Sequence, residues 1–153
     1  MIFYRLVKAA FADEAWSGSG AKRFGGRWNH KGQAAVYVSS SIALAALEIL
    51  VHAPRQSLLE RYALFSIELP DSEVNYLESR YLPDDWTHDP APLSTMDLGS
   101  GWLEANSGAA LMVPSCVIPH ENNALLNPHH PAFRAALESV VIYDFNFDRR
   151  LAL

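Results

Sequence analysis

Ala34-Ala35-Val36-Tyr37-Val38-Ser39-Ser40-Ser41-Ile42-Ala43-Leu44-Ala45-Ala46-Leu47-Glu48-Ile49-Leu50-Val51-His52-Ala53-Pro54 carries two structural periods in one run. Its first part, Ala34 to Ser39, is short and centred on β-branched and aromatic residues, which predicts a strand. The serines that follow offer helix caps, and the apolar-periodic run from Ser41 to Ala53 predicts a buried helix ended by Pro54. Leu44 and Val51 lie four residues before and three after Glu48, so the carboxylate shares a helix face with apolar neighbours. A buried carboxylate without a partner is costly. Glu48 is therefore expected to meet Arg5, Arg27 or a cationic substrate, the plain alternative being an ion pair that only fixes packing. Tyr37 should emerge at the strand edge from which the helix departs. Its ring is placed to stack on a planar ligand, or is an ordinary half-buried tyrosine.

Upstream, Gly25-Gly26-Arg27-Trp28-Asn29 sets an arginine on a glycine-loosened turn, with Lys22 and Arg23 close by. A guanidinium grips phosphate or carboxylate through paired hydrogen bonds, so Arg27 suits an anionic ligand. A solvated glycine-rich loop is the alternative. The spacing is neither that of a Walker loop nor that of the dinucleotide fingerprint. Downstream, Leu111 to Pro119 is an apolar run interrupted by Pro114, which favours an edge or bulged strand and leaves Ser115 free to face a pocket. No nucleophile elbow surrounds Ser115, so its expected role is hydrogen bonding. Cys116 is the only cysteine, and its apolar neighbours predict a buried, inert thiol.

Further strands are expected over Ile2 to Val7, Tyr62 to Leu69, Ala110 to Ile118 and Val140 to Phe147, the last with one buried and one wet face. Tyr81 to Thr95 reads as loop, Trp102 to Ser107 as the end of a short helix, and Pro128 to Pro131 as a rigid turn that Asn123 and Asn127 help to fix. Strands and helices interspersed without a βαβ rhythm predict an α+β fold. With 153 residues, half of them hydrophobic, the chain is expected to form a single domain.

The net charge of −5 opposes direct nucleic-acid binding, which rests on a basic surface. No run approaches the roughly 20 apolar residues that span a bilayer, and no leader pattern opens the sequence, so a cytoplasmic protein without membrane attachment is expected. The six histidines show neither a helical pair spacing nor cysteine partners, and no metal site is expected.

Several of these segments belong together. Tyr4-Arg5-Leu6, Gly25 to Asn29, Val36-Tyr37-Val38-Ser39, Ala46 to His52, Val113-Pro114-Ser115 and Asn122 to Pro128 with His130-Pro131, in that order, resemble the RES-domain family over nearly the whole chain. The family is named for an arginine, a glutamate and a serine, which correspond to Arg5 or Arg27, Glu48 and Ser115. The resemblance implies an ADP-ribosyltransferase-like fold, a mixed, split β-sheet flanked by helices, over residues 1–153. It also implies a toxin that depletes cellular NAD and is held in check by an Xre-type antitoxin, the partner to which DNA binding falls. In that reading Glu48 stabilises the sugar cation, Arg5 and Arg27 hold the pyrophosphate or an incoming phosphate, Tyr37 stacks, and Ser115 orients the nicotinamide or the sugar. Asn123 is a further candidate for binding NAD. Water, inorganic phosphate and a protein side chain remain open as acceptors, which correspond to an NAD glycohydrolase, an NAD phosphorylase and an ADP-ribosyltransferase. A silent module that only binds the antitoxin is the reading from another class.

Overall fold

A computed structural model describes residues 1–153. In chain order the elements are β1 (Ile2–Lys8), α1 (Ser19–Phe24), β2 (Val36–Ser39), α2 (Ile42–His52), β3 (Tyr62–Glu68), β4 (Val74–Tyr76), α3 (Leu93–Ala105), β5 (Ala110–Pro114), β6 (Asn122–Leu126), α4 (Pro131–Ala136) and β7 (Val141–Phe145). The strands form one mixed seven-stranded sheet in the order β4-β5-β6-β2-β1-β3-β7. Only β4 and β5 run parallel. The fold is α+β.

Period-two alternation sends successive side chains of β5 and β6 to opposite faces of the sheet. Met112, Ala124 and Leu126 pack with Phe3, Val36 and Phe133 of α4, while Leu111, Val113 and Leu125 pack with Trp28 and with Leu103 of α3. A third cluster joins Ala45 of α2 to Leu6, Leu64 and Tyr62 of β1 and β3. Both faces of the central strands are thus covered. Gly99 on α3 lies so close to the Trp28 backbone that a Cβ there would overlap it, which is how the helix locks the Gly25–Asn29 turn in place.

The middle of the sheet is its weakest seam. β1 pairs with β3 from Ile2↔Glu68 through Lys8↔Tyr62, and β2 pairs with β6 from Val36↔Leu126 through Ser39↔Asn123. Between β1 and β2 the only register pair is Tyr4↔Ser39. A side chain also spans that gap, because Arg5 Nη1 donates to the Tyr37 carbonyl at 2.7 Å.

Several expectations need correction. The helix over Ile42–His52 is capped by Ser41, whose hydroxyl accepts from Leu44 N at 3.1 Å, but it is not a buried helix. Only Leu44 and Ala45 are buried, and Ile42, Leu47 and Val51 are exposed, because α2 covers one flank of the sheet and faces open space on its other side. Helix α3 begins at Leu93, inside the segment expected to be loop, with Pro92 at its N-cap position. The β5 strand stops at Pro114. β6 occupies residues for which the sequence pattern predicts no element; Asn127 does hold the turn after it, accepting from His129 N at 3.1 Å, whereas Asn123 belongs to the strand. β7 is half-buried only at its end. It is the last strand of the sheet, and Val141, Ile142 and Tyr143 are all exposed, whereas Phe145 and Phe147 pack against the cluster of Leu6, Leu64 and Tyr62. No helix is long and apolar enough to cross a membrane.

Candidate active site

A cavity of about 890 Å³ opens beside the β1–β2 seam, lined among others by Tyr4, Arg5, Arg27, Tyr37, Glu48 and Asn123. That volume suits a ligand of drug or dinucleotide size. The sequence-predicted residues converge here from β1, the Gly25–Asn29 turn, β2, α2 and β6.

Glu48 is half-buried on α2. Its Oε1 accepts from Ser115 Oγ and from Asn123 Nδ2, both at 2.7 Å. Its Oε2 accepts from no group of the protein and is not among the buried atoms left without a partner. One oxygen is therefore fixed by two neutral donors and the other faces the cavity. Of the partners expected for Glu48, the two arginines do not meet it: neither Arg5 nor Arg27 forms an ion pair with it. Half-burial leaves the carboxylate enough hydration that neutral donors suffice.

Ser115 lies at the end of β5 and is fully buried. Its hydroxyl donates to Glu48 and accepts from Val117 N at 3.0 Å and Ile118 N at 3.1 Å. One proton and two lone pairs are all a hydroxyl has, so the side chain is turned to Glu48 and its own loop rather than to the cavity. Cys116, next in sequence, is half-buried and borders the cavity. Desolvation holds its thiol pKa up, opposed by nearby Arg27.

The two arginines differ. Arg5 has no carboxylate partner, and its Nε is buried without a hydrogen bond. Burial lowers its pKa to about 10. A desolvated guanidinium with unused donors at a cavity wall is arranged to receive an anion. Arg27 instead grips its own chain: Nη1 donates to the carbonyls of Trp86 at 2.9 Å and His88 at 2.7 Å. It thereby ties down a loop from which Thr87 and Asp89 also line the cavity.

Tyr37 presents its ring to the cavity, but its hydroxyl is spent inside the protein. It donates to Asn29 Oδ1 at 2.6 Å and accepts from Trp28 N at 3.0 Å. Burial raises its pKa, with the Trp28 bond and Arg27 acting against the rise. A Cβ on Gly26 would sit 2.6 Å from the Tyr37 hydroxyl, so glycine is needed there for the close approach.

Sequence reasoning gave no role to Asn29 or Ser39. Asn29 is fully buried and donates to the carbonyls of Ala21, His30 and Gln33; its signal was an asparagine at the end of a glycine-rich turn. Ser39 stood among three serines read as caps, of which only Ser41 caps α2. His30 and His130 are used structurally, the first against Asp97 at 2.6 Å and the second as the N-cap of α4.

With an arginine on β1, a glutamate on α2 and a serine after β5 brought to one place, the comparison with known families is direct: the RES domain model matches residues 2–148. This chain belongs to the RES-domain family. It is 48% identical to a protein named Toxin Res from Yersinia enterocolitica, over 99% of each chain. It is 43% identical to a Toxin Res from Photorhabdus laumondii, over 99% of this chain and 97% of that one. A Prs ADP-ribosylating toxin from a Sphingobium species is 44% identical over 84% of this chain and 83% of its own.

Proposed function

We propose that this protein is a cytoplasmic toxin that binds NAD in the cavity and breaks its nicotinamide–ribose bond. The observation that carries the reading is the Glu48 carboxylate in the cavity wall, held by Ser115 and Asn123 through Oε1 with Oε2 uncommitted. Nicotinamide leaves NAD as a neutral base, taking the electron pair of the C1′–N bond, so departure needs no general acid. The carbon left behind is an oxocarbenium-like sugar. A fixed carboxylate oxygen beside it stabilises that charge and accepts from a ribose hydroxyl. Arg5, through the terminal N–H groups that its bond to the Tyr37 carbonyl leaves free, takes the pyrophosphate. Arg27 shapes the wall through the Trp86–His88 carbonyls and keeps its remaining N–H groups for phosphate. The Tyr37 ring packs on the nicotinamide side, and Asn123 borders the sugar. Ser115 acts through Glu48.

The Sphingobium relative's name supports NAD as the substrate, because transfer of ADP-ribose begins with the same bond cleavage. Inorganic phosphate as acceptor makes the enzyme an NAD phosphorylase, water an NAD glycohydrolase, and a protein side chain an ADP-ribosyltransferase. Phosphate is favoured by two arginines in one cavity. No metal enters any of these routes. The relatives named toxins support a cognate antitoxin as partner, here of the Xre type, which closes the cavity and carries the DNA contacts that an acidic surface does not make.

A silent antitoxin-binding module would have little use for a desolvated, unpaired Arg5, whose replacement by an apolar residue is cheap. Incubation of the purified chain with NAD, with and without inorganic phosphate, decides between the readings. Release of nicotinamide is expected, with ADP-ribose 1″-phosphate as co-product when phosphate is present. Intact NAD under both conditions would overturn the enzymatic reading.

A further inference from the structure

We propose that Ser39 is a positioning residue of this site, acting on Glu48 through Asn123. The proposal rests on the reading of Glu48 as the working carboxylate and adds a residue to it. Ser39 Oγ donates to Asn123 Oδ1 at 2.7 Å, and Asn123 Nδ2 donates to Glu48 Oε1 at 2.7 Å. A carboxylate only accepts, so the amide must turn its nitrogen to Glu48 and its oxygen away. The group that meets that oxygen is Ser39.

The placement of Ser39 is over-determined. It is 4% exposed, pairs with Asn123 in the β2–β6 ladder, and is also the residue through which β2 meets β1 at Tyr4. Both strands that flank it hold its backbone, so its hydroxyl has a fixed origin. Asn123 is also held between two strands, opposite Ser39 and Val113, but its longer side chain is half-buried and freer to turn. Without the serine its amide oxygen lies unpartnered beside a site rich in donors, and the side chain turns toward the cavity and its ligand. Glu48 then keeps Ser115 alone. Bonds in such a chain also polarise one another, so removal of the outer donor weakens the inner bond as well.

The test uses Ser39→Ala, Ser39→Thr, Asn123→Ala and the double variant Ser39→Ala with Asn123→Ala, with nicotinamide release from NAD as the activity. Ser39→Ala is expected to lower kcat by about tenfold or more while KM changes little, the loss of one hydrogen bond supporting a charged group. Ser39→Thr should restore most of it. In the Asn123→Ala background Ser39→Ala should do nothing further, since neighbours acting through one path are not additive. A full additional loss in the double variant, or an effect on KM alone, would overturn the proposal. A second readout does not need turnover: the Asn123 side-chain amide resonance, assigned by its loss in Asn123→Ala, should exchange slowly with solvent in the parent and in Ser39→Thr and rapidly in Ser39→Ala. Unchanged exchange in Ser39→Ala also rejects the relay. If that variant does not fold, Ser39→Cys, a weak donor of similar size, takes its place in both measurements. A parent that leaves NAD intact defeats the proposed function, and the amide measurement still decides whether Ser39 positions Asn123.

Discussion

The Ser115 hydroxyl donates to Glu48 across 2.7 Å, although 67 residues separate the two in sequence. The same hydroxyl accepts from the backbone N–H groups of Val117 and Ile118. One side chain therefore fixes both the carboxylate on α2 and the loop that leaves β5. Removal of it leaves two backbone donors and a carboxylate oxygen short of a partner, a cost of about 1–3 kcal/mol per buried group. Ser115 matters to this site by holding Glu48 still.

Glu48→Gln should fold and lose activity. The amide oxygen still accepts from Ser115 and Asn123, so the melting temperature is expected to stay within a few degrees of the parent, while loss of the charge lowers turnover on the order of 10²-fold or more. Expression of parent and variant side by side in cells measures the same point. Growth arrest with falling NAD is expected from the parent only, and equal arrest from both would assign the toxicity to binding instead of chemistry.

Arg27→Lys keeps a positive charge but loses the planar fork. The Trp86 and His88 carbonyls both accept from Nη1, a position that the shorter lysine side chain does not reach, and the N–H groups left for an anion are lost as well. NAD affinity should fall, and amide exchange of the loop around Thr87 should quicken. Unchanged affinity and exchange in a titration followed by mass spectrometry would remove Arg27 from the site.

Arg5→Met is expected to separate stability from binding. The parent holds a desolvated guanidinium without a carboxylate partner, a burden at neutral pH that an apolar side chain of similar length relieves. The lost bond to the Tyr37 carbonyl offsets part of the gain. The melting temperature should equal or exceed that of the parent. Added NAD should raise the parent's melting temperature and leave that of the variant unmoved, because stabilisation by a ligand follows its affinity for the folded state.

Tyr37 predicts a pH dependence. Burial raises its pKa above the usual value near 10, so above that pH the folded state keeps a proton that the unfolded chain has released. The contribution is whole below about pH 10 and is lost as pH climbs toward the folded-state pKa. Urea midpoints taken from neutral pH to about pH 11 should fall less steeply for Tyr37→Phe than for the parent. Parallel curves would show that the Tyr37 hydroxyl is not desolvated.

Elements with one strong local period were legible. The strands at Ile2 and Tyr62 and the helix at Ile42 lie where the patterns place them, since short apolar, aromatic-rich runs and 3.6-residue spacing are short-range properties. β6 was not legible. Ala124, Leu125 and Leu126 are all fully buried, so the strand shows no alternation, and its flanking asparagines mimic turn signals. β7 departed in the opposite sense, because its pattern promises a buried face along its length and its place at the end of the sheet covers Phe145 but leaves Val141 and Tyr143 exposed.

For the site, the sequence by itself determined which residues are the candidates. Arg5, Arg27, Tyr37, Glu48, Ser115 and Asn123 stand in family order along the chain, and residue identity is a property of the chain alone. Only the tertiary structure decided what each of them touches. Among protein groups Glu48 meets neither Arg5 nor Arg27 but Ser115 and Asn123, from 67 and 75 residues away. Arg27 closes on a loop 59 and 61 residues downstream, and Ser39 reaches Asn123 because the β2–β6 register sets them opposite each other. A hydrogen bond depends on distances of a few tenths of an ångström and on direction, and those are settled by strand register and helix packing, which no local pattern encodes.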